Sequence, residues 1–315
     1  MNVLILCKDV DPHLYKSYFT ADFPEVNFKA AAEEDQVGDF IETADILTAI
    51  RISDGLLGRA ENLKWIQSMI TGTDFFEKLP AFQARRDIIL TSSRGIHGPQ
   101  MAEMAIMLMI AMNRQFPRII RNQDRRVWDP WPTRLLYGKK VAILGVGAIG
   151  QTIAHRCKAF GMTVYGINPS RRELDVLDAY FGLDELGKAT AEADYFICVA
   201  PSKPDNQKML NAEFFARMKP DAFFINLGRG DTVDEAALLQ VLKDRKIAGA
   251  ALDAFWQEPL PADHPFWEMD NVIVTPHIGG RCDVYAQQAA TIFRENLKRY
   301  LGGERKDLVN LIERK

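Results

Sequence analysis

The chain has 315 residues, 47% hydrophobic and 26% charged, with a net charge of −3. That length allows two domains and a sizeable core, and the composition is that of a soluble globular enzyme. The small net charge argues against a nucleic-acid surface or a polybasic membrane patch.

The opening MNVLILCKDV has a short apolar run but no charged leader and no cleavage site, so it reads as a strand. ADILTAI, LKWIQSM and DIILTSS are further strand candidates in the first hundred residues. A long helical stretch runs from Pro99 to about Asn122. Its MAEMAIMLMIAM segment is too short to span a bilayer and carries Glu103, so a buried helix or a subunit contact is expected. An irregular segment, RRVWDPWPTRLLYGKK, follows. Then come the strand candidates KKVAILG, MTVYGI, ADYFICVA, DAFFINLG, IAGAALD and NVIVTP, mostly separated by helical patterns. The final helical pattern, VYAQQAATIFRENLKRYLGG, can return the chain to the first domain. Alternation of this kind indicates an α/β protein with parallel sheets. Cys7, Cys157, Cys198 and Cys282 are scattered without a C-x-x-C pair, which fits reduced cytoplasmic thiols. No cluster has metal-ligand spacing, so no metal is expected.

KKVAILGVGAIGQTIAHRCKAFGMTVYGIN reads strand, G-x-G-x-x-G turn, helix, strand. Gly145 permits the tight turn, Gly147 lets backbone approach a pyrophosphate, and Gly150 lets helix and strand pack closely. The pyrophosphate is expected on the helix N-terminus, over Ala148 and Ile149. The next strand usually ends in an acid that holds a ribose hydroxyl and repels a 2′-phosphate. Here the sequence has Asn168, Pro169, Ser170, Arg171 and Arg172. The missing acid and the two guanidinium groups predict a preference for NADP(H), with NAD(H) possible.

Three later segments each carry a polar residue past an apolar strand: FFINLGRGD with Arg229, AALDAFWQEP with Glu258 and VIVTPHIGG with His277. Ligands of open parallel sheets bind beyond the carboxyl ends of the strands, so the three can converge. An arginine can bind a carboxylate and polarise a ketone. A histidine can protonate the forming alkoxide, and a neighbouring carboxylate orients it. His97 stands near a helix start as a weaker candidate contact. His13 and His155 are expected to be solvated and His264 to lie in a loop.

These blocks, with MITGTD and RGIHGPQMAE, resemble the D-isomer-specific 2-hydroxyacid dehydrogenases over almost the whole chain. The resemblance implies a catalytic group of Arg229, Glu258 and His277. It implies substrate carboxylate binding by the amides of Thr71 and Gly72, and further cofactor contacts at Ala200, Pro201, Leu227, Gly228, Asp253 and Gly279. It implies a flavodoxin-like substrate domain, 1–98 with 285–315, and a Rossmann cofactor domain, 99–284, that carries the dimerisation helix of a homodimer. In hydroxypyruvate reductases of the family a partner tryptophan approaches the substrate, which points to Trp131 with Trp128 as competitor. The NADP(H) reading makes glyoxylate or hydroxypyruvate the expected substrate. A phosphoglycerate dehydrogenase is the alternative, with Arg51, Arg94 or Arg281 to meet a substrate phosphate, and a dinucleotide-sensing corepressor is the non-enzymatic one. No regulatory C-terminal domain of the phosphoglycerate dehydrogenase kind is expected after LIERK.

Overall fold

The computed structural model describes residues 1–170 and 174–313. They fall into two units, Met1–Ile96 with Cys282–Lys315, and His97–Arg281. The joins expected from sequence, after 98 and after 284, lie a few residues further on. His97 caps the helix Gly98–Asn113 and belongs with it.

The first unit is built on five parallel strands: β1 (Asn2–Leu6), β2 (Asn27–Ala31), β3 (Ile46–Ala49), β4 (Trp65–Ser68) and β5 (Ile89–Thr91). Their order, β2-β1-β3-β4-β5, is that of flavodoxin-like sheets. β3 and β4 are buried at every position, as a sheet covered on both faces requires. β2 is absent from the sequence expectation for a physical reason. It is an edge strand, NFKAA, with only partial burial and a lysine whose Nζ donates to the Val37 carbonyl at 2.7 Å. The C-terminal helix Tyr285–Leu301 does return to this unit. Phe293 meets Phe19 edge-on at 5.0 Å and lies 5.5 Å from Trp65, whose ring stacks on Tyr300 at 5.1 Å. Such aromatic pairs add to the burial of their large surfaces.

The second unit holds seven parallel strands: β6 (Lys140–Leu144), β7 (Thr163–Ile167), β8 (Ala179–Phe181), β9 (Tyr195–Cys198), β10 (Phe223–Asn226), β11 (Gly249–Leu252) and β12 (Val272–Val274). The order is β12-β11-β10-β9-β6-β7-β8. β6 therefore pairs with β7 on one side and β9 on the other, and the chain reverses direction across the sheet there. That reversal is the switch point where doubly wound sheets bind dinucleotides. β8, an edge strand of three residues, is also outside the sequence expectation.

The continuous helix expected from Pro99 to about Asn122 is two helices, Gly98–Asn113 and Phe116–Arg125. Gln115 between them is left-handed, with φ 53°. The break follows from Pro117, which has no N–H for the fourth carbonyl back, that of Asn113, and sits well only in a first turn. The first of these helices crosses Ala148–Ala159 very closely. A Cβ added to Gly98 would stand 2.6 Å from Thr152 Oγ1.

Candidate active site

At the switch point, three strand ends converge on small residues. Gly145, after β6, has φ +99°, and a Cβ there would lie 3.0 Å from the backbone of Val199 and Ala200 after β9. A Cβ on Gly228, after β10, would stand 2.7 Å from the Ala200 carbonyl oxygen. Gly150 backs onto the turn, with its notional Cβ 2.3 Å from the Gly145 oxygen. Gly147 differs from these, because nothing lies within 4 Å of a Cβ placed there. It is the N-cap of Ala148–Ala159 and offers no side chain to the first-turn amides. The space over Gly147 and that uncapped helix end fit the pyrophosphate of a dinucleotide. Asn168 follows β7, and its carbonyl accepts the Tyr180 hydroxyl at 2.6 Å. Pro169 and Ser170 are exposed beyond it, while Arg171 and Arg172 lie outside the described residues.

Arg229 sits on a tight turn after β10, organised by a residue that motif reading passes over. Asn226 is 1% exposed. Its Nδ2 donates to the carbonyls of Arg229, at 3.2 Å, and Ala254, at 3.3 Å, and its Oδ1 accepts from Gly228 N at 3.1 Å. Thr232 Oγ1 donates to the Arg229 carbonyl at 2.7 Å. A polar side chain ending an otherwise apolar strand, FFIN, is the sequence signal for Asn226, since burial requires that its amide be satisfied. Leu227, beside it, is buried.

The loops after β11 and β12 bring Glu258 and His277 together. His277 Nδ1 lies 2.8 Å from Glu258 Oε2 and 3.0 Å from Oε1, and Phe255 N donates to Oε1 at 3.0 Å. Burial works to raise the Glu258 pKa, but the hydrogen bonds from His277 and Phe255 and the charge of Arg229 hold it below the usual carboxylate value. With Nδ1 facing the carboxylate, Nε2 is the imidazole nitrogen on the other edge of the ring. His277 has φ 52°, in the left-handed region. Asp253 holds that turn. Its Oδ1 accepts from Thr275 Oγ1 at 2.6 Å and Ile278 N at 3.0 Å, and its Oδ2 accepts from Gly279 N at 2.9 Å. Gly279 leaves no room for a side chain, since a Cβ there would lie 2.9 Å from Asp253 Oδ2.

His97 belongs to the same unit. It is 7% exposed, and burial first, then the positive charge of Arg229, lowers its pKa to about 4. It is a neutral imidazole near neutral pH. A Cβ on Gly280 would stand 3.1 Å from its Cδ2, and Gln100 Nε2 donates to the Gly280 carbonyl at 3.3 Å.

In the first unit, Thr71 and Gly72 are half-buried in the loop after β4. Arg51 and Arg94 are exposed. The Arg51 guanidinium lies 5.8 Å from the Phe75 ring centre, and the Arg94 carbonyl accepts from Asn310 Nδ2 at 2.8 Å. Trp131 lies under the Arg118 guanidinium at 4.1 Å with its Nε1 buried, whereas Trp128 is 96% exposed. His13 and His155 are exposed, and His264 caps the short turn Pro265–Trp267 with Nε2 3.3 Å from Glu235. Among the described residues no three His, Cys, Asp or Glu side chains form a metal-binding group, and no helix is long and apolar enough to cross a membrane.

A doubly wound sheet with an open glycine turn, an arginine and a carboxylate–histidine pair past its strand ends is the architecture of a nicotinamide-dependent dehydrogenase. Residues 106–279 match the model of the D-isomer specific 2-hydroxyacid dehydrogenase NAD binding domain. A D-3-phosphoglycerate dehydrogenase of Methanocaldococcus jannaschii is 32% identical over 286 residues, 89% of this chain but 54% of that protein. The chain thus spans about half the length of that relative. The structure of a D-isomer specific 2-hydroxyacid dehydrogenase family protein from Aeromonas salmonicida superposes with a TM-score of 0.89 at 35% identity, covering 99% of this chain and 98% of that one. An NADPH-dependent glyoxylate/hydroxypyruvate reductase from Sinorhizobium meliloti, solved with NADP and sulfate, superposes with a TM-score of 0.86 at 25% identity, with 99% and 98% covered. The chain belongs to the D-isomer specific 2-hydroxyacid dehydrogenase family, whose members are NAD(P)-dependent oxidoreductases.

Proposed function

We propose that this protein reduces a small 2-keto acid, glyoxylate or hydroxypyruvate, to the D-2-hydroxy acid with NADPH. The observation that carries the reading is the Glu258–His277 pair at 2.8 Å, in the same unit as an arginine turn and an open dinucleotide turn. Gly145, Gly147, Gly150, Ala200, Gly228 and the segment from Asn168 onward would hold the dinucleotide, which when bound would supply the hydride that the ketone carbon takes up. Arg229 draws electron density toward the ketone oxygen. His277 Nε2 delivers the proton that oxygen takes up, and Glu258 supports the charged imidazole that precedes transfer. The amides of Thr71 and Gly72 bind the carboxylate.

Asn168 in place of an acid supports NADP(H), because a carboxylate at that strand end repels a 2′-phosphate. The Sinorhizobium meliloti structure, an NADPH-dependent reductase with NADP, supports the same choice.

A second copy of the chain is the proposed partner. An apolar groove of about 510 Å³ opens on the helix Gly98–Asn113, lined by Ile106, Met107, Ile110, Phe116 and Phe160, and Met107 is 47% exposed. That is the surface expected of a dimerisation helix. A dimer mass in solution, reduced to a monomer by Ile110→Glu, is the expected result.

The test of the activity is kcat/KM for glyoxylate, hydroxypyruvate, phenylpyruvate and 3-phosphohydroxypyruvate, each with NADPH and NADH. Highest efficiency is expected for one of the first two with NADPH. A strong preference for the phosphorylated acid assigns the chain to the phosphoglycerate type instead. Equal or better use of NADH, untouched by replacing Arg171 and Arg172 with alanine, overturns the cofactor choice. Tight dinucleotide binding without turnover favours the corepressor reading.

A further inference from the structure

Beneath the loop after β4 runs a chain of buried polar side chains, all within the unit that holds residues 1–96 and 282–313. Gln67, Ser68, Thr91, Ser93 and Asn296 are fully buried. Trp65 Nε1 donates to Thr91 Oγ1 at 2.7 Å, and Thr91 Oγ1 donates to Gln67 Oε1 at 2.7 Å. Asn296 Nδ2, from the C-terminal helix, donates to the same Gln67 oxygen at 3.0 Å and to the Val309 carbonyl at 3.0 Å, while its Oδ1 accepts from Val309 N at 2.6 Å. Gln67 Nε2 passes the chain on to the Ser68 carbonyl at 3.0 Å and to Ser93 Oγ at 3.3 Å. Ser93 Oγ donates to the Ser68 carbonyl at 2.9 Å. An apolar core has no use for such a chain, and every member left unpaired costs stability.

The chain ends on the loop. Ser68 Oγ accepts from Ile70 N at 3.3 Å and stands 3.2 Å from the Ile70 carbonyl oxygen and 3.3 Å from that of Gly72. Ser93 N donates to the Ile70 carbonyl at 3.0 Å. Tyr285 Oη donates to the Met69 carbonyl at 2.8 Å. The carbonyls of Met69, Ile70 and Gly72 are tied down from within the unit.

A trans peptide is planar, so its carbonyl and the following N–H point in opposite directions. With the Ile70 carbonyl turned to Ser68 and Ser93, the Thr71 N–H is directed to the opposite side. With the Gly72 carbonyl turned to Ser68, so is the Thr73 N–H. The Thr71–Gly72 peptide lies between these two anchored planes. Backbone amides bind an anion well only when their direction is set in advance, because a loop ordered at the moment of binding loses that entropy from the affinity.

We infer that Ser68, backed by Gln67, Ser93 and Asn296, is a positioning residue that aims the Thr71–Gly72 segment at the substrate carboxylate. The inference rests on the 2-keto acid reading proposed above. In the full-length protein, Ser68→Ala is expected to raise KM for glyoxylate or hydroxypyruvate about three- to tenfold, the worth of one neutral hydrogen bond. kcat is expected to change less, and the Kd for NADPH to stay at its wild-type value. A merely structural role would not separate these quantities. An unchanged KM, or a KM and NADPH Kd that rise together, overturns the inference. Where Ser68→Ala does not fold, Ser93→Ala cuts the same chain one link further back and is read by the same two constants. A wild-type protein that reduces no 2-keto acid overturns the activity reading, and this inference with it. A wild-type protein that does so while the variant keeps its KM overturns this inference alone.

Discussion

Both carboxylate oxygens of Glu258 face a single nitrogen of His277, Nδ1, at 2.8 and 3.0 Å. One of those oxygens also accepts the Phe255 amide at 3.0 Å, so the carboxylate is fixed before it orients the imidazole. Glu258 titrates below the ordinary carboxylate value. Its support for a charged imidazole is therefore present at neutral pH and is lost only as pH falls through that lowered value. Glu258→Gln keeps the shape and removes the charge. The kcat for keto-acid reduction is expected to fall roughly a hundredfold, within the range of general acid catalysis, and the acid-side loss of rate that Glu258 protonation causes in wild type is expected to be absent from the variant. A pH–rate profile of the two proteins checks this, and an unchanged kcat argues against the pair.

Asp253 makes a second prediction. Its two oxygens accept three donors, Thr275 Oγ1, Ile278 N and Gly279 N, and so hold His277 at φ 52°. Asn in its place sets an NH2 group against an N–H donor. Asp253→Asn is expected to lower unfolding free energy by about 2 kcal/mol, the cost of a buried donor left unmatched. kcat should fall with it, because the turn that carries His277 loosens. Urea unfolding and initial rates on one preparation test both. Wild-type kcat in a destabilised variant would show that His277 is held by other means.

The sequence makes the strands with continuous apolar runs legible, and the edge strands β2 and β8 not. NFKAA breaks its apolar run with a lysine and AYF is three residues long, so neither carries a run that stands out. The same limit hides Asn226 and Ser68. Motif reading finds residues that touch ligands, such as Arg229 and His277, because their chemistry is distinctive. Asn226 and Ser68 act on backbone, through contacts that appear only once β10, β11 and the loops after them, or β4 and β5, are side by side. The break at Gln115 was legible in principle, since Pro117 forbids a continuous helix there.

The glycines separate folding from cofactor binding. A Cβ on Gly230 would lie 1.9 Å from the Phe255 carbonyl carbon, while a Cβ on Gly147 meets nothing within 4 Å. Gly230→Ala is expected to cost about 3 kcal/mol of stability, because backbone rather than a flexible side chain must move. Gly147→Ala is expected to leave the melting temperature unchanged and to weaken NADPH binding roughly tenfold, a methyl group standing where the pyrophosphate approaches. Thermal melts with and without NADPH, compared across the two variants, check the contrast. A Gly147→Ala protein that binds NADPH as wild type does would move the pyrophosphate site elsewhere.

His97 ties stability to pH. Its pKa is about 4 in the fold, against an ordinary 6.5 in the unfolded chain. The unfolded state therefore binds a proton first as pH falls. The contribution of neutral, buried His97 is fully present above about pH 6.5 and is lost progressively down to about pH 4, to a total of roughly 3 kcal/mol. His97→Gln removes the titrating group and keeps a polar side chain of similar size. Unfolding free energies measured from about pH 7 to about pH 4.5 are expected to fall less steeply for His97→Gln than for wild type. Carboxylates that also destabilise the fold in acid are common to both proteins, so the difference between the two curves isolates His97. Because burial outranks the charge of Arg229 as the cause, Arg229→Gln should recover only the smaller part of that difference. Parallel curves for wild type and His97→Gln would mean that His97 is protonated as readily in the fold as out of it.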